Sequence, residues 1–132
     1  MISPDGRWIA FVTDESGRSE VVVQPFPGPG ARIQVSVTGG TEPVWSRDGR
    51  RLFYRGDGML MAATVRPAPT FTVTARDPVL RDDYLFASNL HANYDVMPDG
   101  SHFIFLQGDT AGELTVVSNW DAVVRARMAA GP

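Results

Sequence analysis

Pro43-Val44-Trp45-Ser46-Arg47-Asp48-Gly49-Arg50-Arg51-Leu52-Phe53-Tyr54 reads as a strand, a tight turn and a second strand. The pattern recurs. Ser3-Pro4-Asp5-Gly6-Arg7-Trp8-Ile9-Ala10-Phe11 is an earlier copy, and Val96-Met97-Pro98-Asp99-Gly100-Ser101-His102-Phe103-Ile104-Phe105 is a later one. The three Asp-Gly pairs lie 43 and then 51 residues apart. Self-similarity at that period marks a repeat architecture.

The turn residues have a physical reason. Glycine supplies the positive φ of a tight turn, and an Asp side chain bonds the backbone just after it. Pro4 and Pro98 preset φ at the start of the turn. Asp5, Gly6, Asp48, Gly49, Asp99 and Gly100 are therefore read as structural turn residues, which accounts for the carboxylates without a cation. After the turn, Ile9, Leu52 and Phe103 correspond, with Phe11, Tyr54 and Phe105 two residues on. Residues two apart share a strand face. The residues between them, Ala10, Phe53 and Ile104, are apolar too, as expected of strands sandwiched between sheets.

Working outward, Trp8 to Thr13, Glu20 to Gln24 and Ala31 to Val37 read as strands. The last alternates Ile33, Val35 and Val37 with polar residues, as a half-exposed outer strand does. Pro25 to Gly30 cannot continue a ladder. The second unit has Val44 to Ser46, Arg51 to Arg55, Met59 to Val65 after the turn Gly56-Asp57-Gly58, and a fourth strand opening at Phe71 to Ala75. Asp77 to Asn93 reads as a long irregular stretch. The third unit has Tyr94 to Met97, His102 to Gln107 and Leu114 to Ser118. Ala122 to Ala130 follows with helix-favouring residues, capped by Asn119 or Asp121, with a makeshift outer strand as the alternative. The expected units run 1–40, 41–90 and 91–120, with a C-terminal tail at 121–132. Residues 1–3 are a strand stub, so the chain reads as if cut from something longer.

Composition sets bounds. Of 132 residues 43% are apolar and 20% charged, which suits one globular domain. The net charge of -3 argues against a nucleic-acid surface. There are no cysteines, which removes disulfides and thiol chemistry. No apolar run approaches the ~20 residues that span a bilayer, so no membrane insertion is expected.

At this point the residues resemble a known family. The repeated Ser-Pro-Asp-Gly-Arg turn followed by an Ile-Ala-Phe-like strand looks like the TolB-type, WD40-like β-propeller repeat. Asn93 to Gly100, followed by Val117-Ser118-Asn119-Trp120, resembles the C-terminal propeller of bacterial serine/threonine protein kinases and related sensors. The resemblance implies a propeller of six or more blades; this chain departs from it, reading as an all-β fragment of about three four-stranded antiparallel blades, the last incomplete, with a short C-terminal helix. It implies protein interaction or ligand sensing, and an extracytoplasmic setting for the parent family. Closed propellers need 4–8 blades. Homodimerisation into six blades is therefore expected, the partner being a second copy of the chain, with an unknown protein as a further partner.

No catalytic, cofactor or metal role is expected. No G-x-S-x-G or H-E-x-x-H pattern is present. Asp14-Glu15 and Asp82-Asp83 read as solvated acidic pairs on loops. Trp8 and Trp45 read as inter-blade packing residues. In propellers a ligand meets the loops that enter the innermost strands, here Gly39 to Pro43 and Asp82 to Asn93. Tyr84, His91 and Asn93 are the candidate binding residues there. Two other readings stand beside this one: a gating or scaffold part of a propeller-containing hydrolase or peptidase, and a structural fragment that self-assembles with no ligand.

Overall fold

A computed structural model describes residues 1–83, 91–106 and 114–117, together with Ala122 and Ala129. The described elements are ten strands. β1 (Trp8–Thr13), β2 (Glu20–Pro25) and β3 (Ile33–Gln34) form the first sheet. β4 (Thr41–Trp45), β5 (Arg51–Gly56), β6 (Met59–Arg66) and β7 (Thr72–Arg81) form the second. β8 (Tyr94–Val96), β9 (Phe103–Leu106) and β10 (Leu114–Val117) form the third. Each sheet is an antiparallel meander in chain order. In the first sheet a single Ile2–Ile9 bridge stands where β4 stands in the second. The helix expected over 121–132 falls outside the described residues, apart from Ala122 and Ala129.

The turn recurs in atomic detail. The N–H groups of Gly6, Gly49 and Gly100 donate to the carbonyls of Ser3, Ser46 and Met97, at 2.9, 2.9 and 2.8 Å. All three glycines have φ near +70°, between 67° and 71°, which costs a residue with a Cβ about 1–2 kcal/mol. Asp5 and Asp48 each accept from a serine hydroxyl, Ser3 at 2.5 Å and Ser46 at 2.7 Å. They also accept the N–H of Arg7 and Arg50. In the third copy Met97 replaces that serine. Asp99 accepts the Ser101 N–H at 2.9 Å, and its second oxygen lies 2.9 Å from Nδ1 of His102.

β5 shows why the sheets stack. Leu52 and Tyr54 enter one buried cluster with Ala10, Val21, Val23 and Trp45. Phe53, pointing the other way, enters a second with Leu60, Tyr94, Phe103 and Phe105. Alternation thus gives the middle sheet two buried faces and no solvated one. Aromatic contacts mark both seams. Phe71 lies 4.9 Å from Trp8 and 6.3 Å from Trp45, ring centre to ring centre. Phe53 meets Phe103 edge-on at 5.0 Å, and Tyr94 stacks on Phe105 at 5.6 Å. Trp8 and Trp45 sit between the first two sheets, as their residue type suggested.

Three strand boundaries depart from the sequence reading, the first being β4, which begins at Thr41 within the expected loop Gly39 to Pro43 rather than at Val44. The outer strand expected over Ala31 to Val37 contracts to Ile33–Gln34. Val35 and Ser36 both turn their N–H groups to the carbonyl of Val21, and the Ser36 hydroxyl accepts the Val21 N–H. The ladder therefore ends there, leaving Val37 56% exposed. The fourth strand of the second sheet runs on to Arg81, well into the stretch expected to be irregular. β6 is eight residues long and offers partners as far as Met59. Pro78 is accommodated because β7 is an edge strand and its register shifts there, between the Leu60–Leu80 and Met61–Pro78 pairs.

Truncating Phe53 to Ala should cost about 3–5 kcal/mol in chemical denaturation, since its ring is fully buried at a sheet seam. A loss below 1 kcal/mol would contradict that seam. The turns predict an acid limb. The Ser3 hydroxyl bond is the main cause that holds the Asp5 carboxyl below its ordinary range. Burial opposes ionisation of Asp48, but the Ser46 bond, the Arg50 N–H and nearby arginines outweigh it and lower its pKa. A carboxyl lowered in the folded state stabilises above its unfolded pKa of about 3.9 and loses that contribution as pH falls through the folded value. Melting temperature should therefore be flat above about pH 4 and fall below it. Asp48→Asn should flatten part of the fall.

Candidate functional site

Thr41 to Trp45 enters the innermost strand of the second sheet, and the residues before Tyr94 enter that of the third. Between them lies a cleft of about 480 Å³. Met1, Ala10, Glu42, His91, Tyr94 and Asp95 are among its lining residues. The first sheet contributes the free edge of β1 past the Ile2–Ile9 bridge, and the other two contribute their inner strands.

Glu42 is the centre of this region. Its side chain is 0% exposed and its backbone takes φ 53°, a left-handed conformation that a non-glycine residue holds only under constraint. The constraint is visible. Oε1 accepts from Nη1 of Arg55 at 3.2 Å, and Oε2 accepts the N–H of Asn93 at 2.6 Å. Its carbonyl accepts the Tyr94 hydroxyl at 2.8 Å. Arg55, 5% exposed, reaches Asp82 through Nε at 2.6 Å and Nη2 at 2.5 Å, a bidentate pair. Burial works against the Arg55 charge, but Asp82 and Glu42 outweigh it and raise the pKa. Burial, and then the Glu42 charge, push the Tyr94 phenol well up, so it stays a neutral donor. A charged network thus ties β4, β5 and the end of β7 to the entry of β8.

Of the sequence candidates, His91 is exposed and lines the cleft. Asn93 is buried and joins the network through its backbone. Tyr84 lies outside the described residues. Asp82 is not the solvated loop acid its Asp-Asp context suggested: its side chain is 14% exposed and gripped by Arg55, whereas Asp83 is exposed and meets Arg81 at 3.4 Å. Glu42, Arg55 and Tyr94 were missed. The available signal was an arginine closing the apolar run Leu52 to Tyr54, a position where a charge needs a buried partner. Among the described residues no group of three or more His, Asp or Glu could hold a metal ion.

No family model matches the sequence, and no curated protein does. The shape, however, is shared. TolB from Acinetobacter baumannii superposes over 89% of this chain with a TM-score of 0.65, at 15% sequence identity. The chain has a TolB-like propeller fold. It spans 28% of that TolB chain, in keeping with a propeller fragment of three successive blades. At this identity the likeness speaks for the fold alone.

Replacing Arg55 with Ala leaves Glu42 and Asp82 buried and uncompensated. The expected loss is about 3–5 kcal/mol in urea denaturation. An effect within about 0.5 kcal/mol, the range of an ordinary surface substitution, would show that the network does not brace the fold.

Proposed function

We propose that the chain is a non-catalytic β-propeller module for protein interaction, and that it closes its ring by pairing with a second copy of itself. The observation that carries this reading is the equivalence of its faces. Leu52 and Tyr54 pack the second blade on the first; the repeat places Ile9 and Phe11 at the same positions of the first blade. Neither belongs to a buried cluster, and both are half-buried: Ile9 bridges to Ile2, which is 47% exposed, and the Arg32 guanidinium lies over the Phe11 ring. Likewise Phe53 packs the second blade on the third, and its equivalent Ile104 lies on the opposite face of β9 from the buried Phe103 and Phe105, with Leu106 56% exposed. Among the described residues neither end face meets another sheet.

The third blade of one copy set against the first blade of another repeats the contact already made twice within the chain. Two copies related by a two-fold axis make two such seams and six blades, within the range that closes. The likeness to TolB supports the propeller on which this rests, and the interaction role follows the common use of that architecture. Chemistry at the cleft is disfavoured by the engagement of Glu42, whose carboxylate oxygens serve Arg55 and Asn93. The finer resemblance to kinase-attached propellers rests on Asn93 to Gly100 and Val117 to Trp120.

Light scattering on a size-exclusion column should give twice the mass of one chain. Ile9→Glu buries an unpaired charge in the seam, and should weaken pairing roughly 100-fold or more while leaving the β-sheet circular dichroism intact. A single-chain mass at every concentration would overturn self-closure.

A further inference from the structure

A second cleft, of about 450 Å³, opens between the Asp-Gly turns of the second and third blades. Arg47, Arg50, Arg51, Phe53, Pro98 and Gly100 are among its lining residues. Three arginines within five residues stand here in a chain whose net charge is -3. The acids of the same cleft are committed to their own turns. Asp48 takes the Ser46 hydroxyl and the Arg50 N–H, and Asp99 takes the Ser101 N–H and faces His102. Arg47 and Arg50 are exposed, and among the described residues their guanidinium groups make no ion pair or hydrogen bond.

The topology adds to this charge. Arg7 precedes β1 as Arg50 precedes β5, and Arg66 closes β6 beside the start of β5. All five arginines therefore gather at one end of the arc. The other end carries Asp14, Glu15, Asp57, Asp82 and Asp83 on the loops that leave β1, β5 and β7. At the turn end the five arginines outnumber Asp5, Asp48 and Asp99, whereas at the other end Glu15, Asp82 and Asp83 pair with Arg32, Arg55 and Arg81 and leave Asp14 and Asp57 to give that end its acidic excess.

We propose that the turn-end cleft binds an acidic peptide segment of a protein partner, Arg47 and Arg50 taking its carboxylates. A guanidinium fork matches a carboxylate in two-point geometry. Pro98, exposed on the third-blade turn, gives the cleft apolar surface for a side chain between the acids. A long polyanion is the poorer fit, since affinity for nucleic acid rests on a run of phosphate contacts and the far end of this molecule is acidic. This inference rests on the interaction reading above, naming the chemistry of the partner, and it uses a cleft internal to one chain that ring closure does not touch.

The test is fluorescence anisotropy with a labelled ten-residue peptide alternating Glu and Leu, beside the same peptide with Gln for Glu. The Glu peptide should bind, and binding should weaken as salt rises. The Gln peptide should bind about tenfold more weakly or not at all. The double variant R47E/R50E should lose about tenfold or more, whereas R47K/R50K, which keeps the charge without the two-point fork, should fall between it and the parent chain. Circular dichroism checks that both variants fold. No binding of the Glu peptide, binding that survives R47E/R50E, or tighter binding of a single-stranded oligonucleotide would each overturn the proposal. The solution mass separates the two readings. A paired chain that ignores the peptide refutes the cleft alone, and a single chain that binds it through the arginines refutes self-closure alone.

Discussion

The middle strand pair of the second blade has no solvent side, and the arrangement of the chain follows from that. Leu52, Phe53 and Tyr54 are consecutive and all buried, so alternation sends them into two different seams. A sheet in that position is stable only between two others. The first and third blades supply the covers, with Ala10, Val21 and Val23 on one side and Tyr94, Phe103 and Phe105 on the other. The turn motif then works as a spacer. By repeating the same Asp–Gly geometry it returns each inner strand pair to the same height, so that the apolar faces meet in register.

The charged network at the inner end of the blades acts differently. Apolar seams are non-directional and tolerate sliding. The Glu42–Arg55–Asp82 set is directional, because its charge-assisted hydrogen bonds fix both distance and angle. Desolvating three charges is costly, and such groups are poor sources of net stability. What the network supplies is position: the strained turn at Glu42, the Asn93 backbone and the Tyr94 hydroxyl are all fixed by it. It thereby sets where the third blade begins relative to the second. His91 is exposed beside it and lines the cleft.

The parts of the fold legible in the sequence are those decided by local chemistry. The Asp-Gly turns, the order of strands and the doubly buried β5 follow from residue type and spacing. The parts that were not legible depend on partners far along the chain. β7 runs past Pro78 because β6 is long enough to receive it and because no strand lies beyond it. β3 stops early because the Ser36 hydroxyl leaves the ladder to bond Val21 and Glu20. At the cleft, loop position pointed to His91 and Asn93. The Arg55 network stayed hidden because Glu42, Arg55 and Asp82 are brought together only by the meander, and each alone has an ordinary solvated reading.

In the proposed closure, the end faces meet as the internal seams do: the first blade offers the positions that the second offers to the first, and the third offers those that the second offers to the third. The most direct measurement uses the absence of cysteine. Ile9→Cys and Ile104→Cys chains are purified separately, mixed and treated with a short bismaleimide, and the products are resolved by mass spectrometry. The account predicts an Ile9→Cys chain joined to an Ile104→Cys chain as the dominant dimer. A dominant product joining two Ile9→Cys chains, or no cross-linked dimer at all, would contradict it.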